Sequence, residues 1–155
     1  MIGYKYKWKR SSNERALLKA CLPLEGVSKF FKSEDARRQK FIRVRWPDDV
    51  ICLKCKGHDG WWLSDFALWE CKSCGAQVSP TSSTELHGTR LDLEFWFRGT
   101  EILINENWLF VPAVQNFADR LGVHLRTATR LRKIIVKAIE QHGLLTQSVC
   151  VISPK

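Results

Sequence analysis

The sequence predicts an α+β fold in which short antiparallel β-hairpins held by four cysteines precede a three-helix unit. Three observations carry this reading. Two CxxC pairs, Cys52-Leu53-Lys54-Cys55 and Cys71-Lys72-Ser73-Cys74, stand fifteen residues apart. From Leu91 the apolar period changes from 2 to 3.6. Residues 113–137 then place a small residue, a glycine and apolar residues at the offsets of two helices crossing through a tight turn.

The cysteine pairs come first because they constrain the most. A two-residue gap lets one turn aim two thiolates at a single ion, and Zn²⁺ takes four such ligands in a tetrahedron. Cys52, Cys55, Cys71 and Cys74 are therefore the expected ligands of one structural zinc ion. With four cysteines filling the shell, the ion has no open position for activating water. Between the pairs, Trp61-Trp62-Leu63 and Phe66-Ala67-Leu68-Trp69 read as strands flanking Ser64-Asp65. Gly75–Ser79 reads as a last strand. His58 and His87 lie close to the cysteines in sequence. Each is weighed as a ligand against a hydrogen-bonding turn residue, and the turn role is favoured because the shell is already complete.

The amino-terminal residues 1–30 are expected to form a basic arm with a short helix. Tyr4-Lys5-Tyr6-Lys7-Trp8-Lys9-Arg10 could track a phosphate backbone with rings free to stack. The other reading is a mobile basic terminus, or an edge strand burying Tyr4, Tyr6 and Trp8. Asn13–Ala20 reads as the helix, broken by Pro23 and Gly26. In the second segment, 31–90, Ser33 reads as an N-cap with Glu34 and Asp35 in the first turn. That helix runs through Ile42 and stops before Trp46-Pro47. Arg37, Arg38, Lys40, Arg43 and Arg45 could touch phosphate or form a solvated face.

The third segment, 91–142, holds the helical unit. Leu93, Trp96, Phe97, Thr100 and Ile104 fall on one stripe behind Asp92 as N-cap. Pro112 suits the first position of the next helix, which is expected over Ala113–Leu121 with Ala118 at a close crossing. Gly122 supplies the positive φ of the turn, and Val123 plugs it. Ala128, Leu131, Ile135 and Ile139 form the buried stripe of the last helix. Its outer side carries Arg126, Thr127, Thr129, Arg130, Lys133 and Lys137, with Arg132 near the edge. In a helix-turn-helix the N-terminal part of such a helix meets base edges and later cations meet phosphates. Arg126, Thr127 and Arg130 are thus expected on bases, and Lys133 and Lys137 on phosphates. The other reading of this unit is a plain bundle with a solvated basic face. Residues 143–155 are expected to be a tail, with Ser148–Ile152 strand-like.

Composition agrees with a polyanionic partner. The net charge is +9. Residues 1–45 carry 13 Lys+Arg against 4 Asp+Glu, residues 46–90 carry 4 against 6, and residues 91–155 carry 8 against 6. No apolar run approaches the ~20 residues that span a bilayer, and no signal-peptide apolar segment follows the basic start. A cytoplasmic protein without membrane partners is expected. The two cysteines outside the pairs, Cys21 and Cys150, read as buried or incidental thiols of a reducing compartment.

Several stretches together resemble the N-terminal part of zinc-ribbon insertion-sequence transposases of the DDE type. They are Phe31–Ala36, Arg45–Cys52, Leu68–Cys74, Ser79–Leu91, Phe95–Arg98 and the helix-turn-helix, and the resemblance covers roughly residues 30–142. It implies a zinc-dependent protein that binds double-stranded DNA, such as transposon ends, with a full-length transposase or a second copy as further partners. In that family a ribonuclease-H-like domain follows, whose three carboxylates hold two metal ions. Here the residues after Gln141 contain no Asp or Glu. The expectation is therefore DNA binding without strand cleavage, in a truncated or regulatory form that is not an enzyme. The alternatives are a zinc-ribbon module that docks on protein, and a subunit of an active transposase.

Overall fold

The computed structural model describes residues 9–106 and 112–151. The Tyr4–Trp8 part of the basic arm and Ile152 lie outside the described residues. The chain is α+β, with seven helices and one three-stranded sheet among the described residues. Helices α1 (Ser12–Cys21), α2 (Val27–Phe30) and α3 (Glu34–Arg45) precede strands β1 (Gly60–Leu63), β2 (Leu68–Cys71) and β3 (Gln77–Val78). Helices α4 (Leu93–Asn105), α5 (Val114–Leu121), α6 (Leu125–Gln141) and α7 (Leu144–Val149) follow.

Among the described helices, every start except that of α5 has a local or a borrowed side-chain cap. Ser11 and Glu14 form a capping box on α1, satisfying two of the amides that a helix start leaves open. Ser33 accepts the Ala36 amide at the start of α3, as its sequence predicts. Asp92 precedes α4 but makes no side-chain cap bond. Glu34 takes that role from a distance, accepting the Leu93 and Glu94 amides on its two oxygens. Glu101 accepts the Val27 amide at α2 at 2.9 Å, and Glu85 accepts the Leu145 amide at α7 at 2.7 Å. Neither α2 nor α7 has a side-chain cap of its own. Three carboxylates thus sit where helix dipoles favour negative charge and tie distant segments together.

Two apolar clusters divide the molecule. The larger one contains Phe31, Phe41, Trp96, Phe97, Phe117, Leu131 and Ile135 and joins the helices. The smaller one, Trp46, Val50, Cys52, Trp69, Cys71 and Val78, lies under the sheet. Helix α3 bridges them: Phe41 is in the first, while Ile42 packs against the second. The expected stripe of α4 is buried. Gly99, which the apolar stripe alone does not single out, marks the closest crossing. A Cβ there would lie 2.8 Å from Ile135 Cδ1 and 3.2 Å from Phe117 Cζ.

Several expectations shift. Phe66 belongs to the hairpin turn, and residues Ser64, Asp65 and Phe66 all adopt positive φ. Pro112 lies two residues before α5 rather than at its first position; Ala113 is the cap, and the Pro112 carbonyl accepts Arg132 Nε at 2.8 Å. The strand expected at Ser148–Ile152 is overturned: Ser148 and Val149 end α7. Leu145 and Val149 bury at helical spacing, a period that a short apolar run leaves ambiguous. Cys21 and Cys150, distant in sequence, are neighbours, with the Val151 amide donating to the Cys21 carbonyl at 2.8 Å. Burial, together with Cys21, pushes the Cys150 thiol up to about 12. No helix among the described residues is long and apolar enough to cross a membrane.

Two substitutions test this packing. Thr146 is fully buried and its hydroxyl has no partner among the described residues. Thr146→Val should raise unfolding stability by about 1 kcal/mol, since an unpaired buried hydroxyl is costly. Gly99→Val should lower it by about 1–3 kcal/mol through overpacking. Denaturant titration followed by circular dichroism reads both.

Candidate metal centre and basic helix face

The sheet is a meander in the order β1-β2-β3, with Gly60 opposite Cys71 and Leu63 opposite Leu68. Gly60 is required by proximity. A Cβ there would fall 2.3 Å from both the Glu70 carbonyl oxygen and the Trp69 ring. Trp69 is buried and Trp62 packs against Trp46 and Phe66. This is a thin core, and the cysteines close it.

The four thiols meet at the base of the sheet. Their sulfurs all lie within 4.8 Å of one another. Cys52 Sγ is 3.6 Å from Cys74 Sγ, and Cys55 Sγ is 3.5 Å from Cys71 Sγ. Tetrahedral zinc with ~2.3 Å zinc–sulfur bonds requires sulfur–sulfur edges of about 3.8 Å, so the donor set fits zinc in both chemistry and spacing. None of the four is in a disulfide. These four cysteines form one zinc site. His58 is exposed outside it, and His87 accepts the Ser83 amide on Nδ1 at 3.1 Å, as a turn residue does.

The two CxxC turns are copies of one another. Cys52 donates its amide to the Gly57 carbonyl, and Cys71 donates to that of Ala76, each five residues on. Lys56 and Gly75 each donate back to the carbonyl of the cysteine four residues earlier. Both sit in the left-handed region, at φ 63° and 67°. Sequence reading does not single out Lys56 and Gly75, although alignment of the two CxxC turns offers a signal. Amides of Cys55 and Lys54 pull the Cys52 thiol down to about 6. At Cys55 the Gly57 amide also favours thiolate, but hydrogen bonding to Cys71 and Cys74, with burial, pushes it up to about 11. A bound dication removes this competition by stabilising every thiolate at once.

The arginines fall into two groups. Arg37 is buried and pairs with Glu34 at 3.7 Å. Arg38 donates to the Asp65 carbonyl, and Arg45 donates to the Ser79 and Pro80 carbonyls while lying 4.1 Å over the Trp46 ring. Arg120 pairs with Glu106. These side chains are occupied in holding segments together. By contrast Arg126, Arg130, Lys133 and Lys137 are exposed on α6 and meet no acidic partner among the described residues. Thr127 is half-buried beside them. The turn ahead of α6 forms as its sequence predicts: Gly122 has φ 73° and donates to the Ala118 carbonyl. His124 caps α6 by accepting the Arg126 amide on Nδ1, a role that its residue type does not advertise.

Residues 32–77 match the transposase zinc-ribbon domain family. The match covers α3, both CxxC turns and the sheet up to Gln77, so the similarity spans the whole four-cysteine site. No curated protein and no solved structure matches the chain.

Cys71→Ser should abolish stoichiometric zinc binding and unfold the ribbon, since structural zinc in small domains supplies on the order of 10–16 kcal/mol. Zinc content by mass spectrometry and thermal unfolding check this; native zinc and stability in the variant would refute it. Lys56→Gly should retain zinc and gain about 0.5–1 kcal/mol. Relief of ~1–2 kcal/mol of left-handed strain outweighs the added backbone entropy.

Proposed function

We propose that the protein binds double-stranded DNA, with the zinc ribbon as scaffold and α5–α6 as a helix-turn-helix. The observation that carries this reading is the outer face of α6. Arg126, Arg130, Lys133 and Lys137 are exposed and without acidic partners among the described residues, whereas other arginines are tied into the fold. Cations held on a rigid helix and left uncompensated suit a polyanion. The transposase-type ribbon at residues 32–77 supports a DNA partner of the kind found at transposon ends.

In this reading Arg126, Thr127 and Arg130, near the start of α6, face base edges in the major groove. Lys133 and Lys137, one to three turns on, grip phosphate and set register. In this reading the protein binds without cutting, and its four-cysteine set, a metal-capable cluster among the described residues, is a closed structural shell. A full-length transposase or a second copy is a further proposed partner.

A second reading, docking on a partner protein, is favoured by the apolar side chains exposed on the ribbon, Ile51, Leu53, Trp61 and Phe66. Salt separates the two. DNA binding through phosphates falls with a log–log slope of about −0.9 per contact; docking through apolar side chains depends weakly on salt.

Selection of bound duplexes from a random pool by zinc-loaded protein, followed by affinity measurement across salt, is the deciding experiment. Arg126→Ala should relax sequence preference by about 1–3 kcal/mol at one position, while Lys137→Ala should weaken all sequences alike. Unchanged discrimination in Arg126→Ala would count against groove reading. Metal-dependent nicking by the purified protein would overturn the non-cutting assignment.

A further inference from the structure

A cleft of about 460 Å³ opens between residues 88–91 and the first half of α6. Arg90 lines one side and Arg126, Thr127 and Arg130 line the other, above Trp96 and Leu131. A smaller hollow of about 230 Å³ lies beside it, sharing Thr89, Arg90 and Leu91 and reaching Arg38 and Pro80. Arg90 therefore stands on the ridge between a basic cleft facing the helical unit and a hollow of mixed charge, lined also by Glu34 and Asp92, facing the ribbon.

The loop that carries Arg90 is built to hold it. Gly88 turns at φ 71°, and the Thr89 amide donates to the Leu86 carbonyl. The Thr89 hydroxyl oxygen accepts both the Leu91 amide and the Trp96 indole N–H, each at 3.1 Å. Trp96 is itself buried in the helical core. The backbone on both sides of Arg90 is thus fixed to the core, while its side chain is exposed and has no hydrogen-bond or acidic partner among the described residues. With both of these N–H groups accepted, the Thr89 hydroxyl proton remains available to an acceptor in the cleft. A guanidinium fixed at its base and unpaired at its tip loses little freedom on engaging an anion.

We propose that this cleft is a second DNA-contacting site, in which Arg90 and Thr89 grip the phosphodiester backbone of the strand beside the groove entered by α6. The proposal rests on the DNA-binding reading above and extends it to a segment outside the helix-turn-helix. Charge complementarity selects the occupant: three guanidinium groups from two separate segments face one opening, and among the described residues no carboxylate lines it. Arg90 acts here as a phosphate-contacting residue. It lets the loop leaving the ribbon and helix α6 address the same stretch of duplex, which fixes the angle of α6 in the groove.

The test is a salt titration of zinc-loaded wild type, Arg90→Ala, Arg90→Lys and Arg126→Ala on a selected duplex and on a random-sequence duplex. Arg90→Ala should bind both duplexes more weakly, with the log–log slope reduced in magnitude by about 0.9 and the preference between duplexes retained. Arg90→Lys should restore the slope. Zinc content and melting temperature should match wild type in each, because Arg90 is exposed. If wild type and Arg126→Ala behave as DNA binders but Arg90→Ala keeps the wild-type affinity and slope, the cleft proposal falls and the DNA reading stands. Absence of salt-dependent binding by wild type overturns both.

Discussion

Four sulfur atoms meeting at one point make the ribbon of this chain a structure. The sheet has three strands of four, four and two residues, too little to bury a core of its own. Its apolar cluster is small and includes two of the cysteines. Folding the ribbon therefore depends on bringing Cys52, Cys55, Cys71 and Cys74 within bonding reach of one ion, and metal binding and folding are one event in such a unit. The paired hydrogen bonds of the two CxxC turns explain how the backbone achieves it. Each turn closes on its own cysteine and then passes through a left-handed residue, Lys56 or Gly75, which points both thiols to the same side.

The zinc site would be isolated without the carboxylates that reach across the molecule. Glu34 sits at the start of the helix entering the ribbon, yet it accepts the first amides of α4 and also holds Arg37. Glu85, in the segment leaving the ribbon, accepts the first part of α7. Glu101 returns from α4 to α2. Each replaces a local cap by a tertiary one, so helix termini become joints between segments distant in sequence. Arg45 adds a fourth joint by donating to the carbonyls of Ser79 and Pro80. The ribbon is thereby set against the helical unit by charged hydrogen bonds, which are directional, as well as by apolar burial, which is not.

The same distinction separates structural from functional cations. A basic chain offers many arginines, and sequence gives them equal weight. Packing spends some of them: Arg37, Arg38, Arg45, Arg120 and Arg132 all donate within the fold. The exposed cations of α6, together with Arg90, have no acidic partner among the described residues. The cluster at Arg37–Arg45, which sequence leaves open between phosphate contact and a solvated face, turns out largely to be structural.

What the sequence by itself determined is what local spacing dictates. The CxxC turns, the Ser33 cap, the stripes of α4 and α6 and the glycine turn at Gly122 follow from residue type and period, because their physics acts within a few residues. Long-range contacts decided the rest. Only the folded chain shows that Glu34 caps α4, that Gly99 is the crossing point, that Cys21 meets Cys150, and that Leu144–Val149 is a helix whose Leu145 amide Glu85 satisfies. Arg90 belongs with these. In sequence it is a lone arginine between a threonine and a leucine, and it faces Arg126 and Arg130 only because Thr89 is bonded to Trp96. Two residues 36 apart that line one cleft have no periodicity to announce them; they face one another only once both segments are packed on the same core.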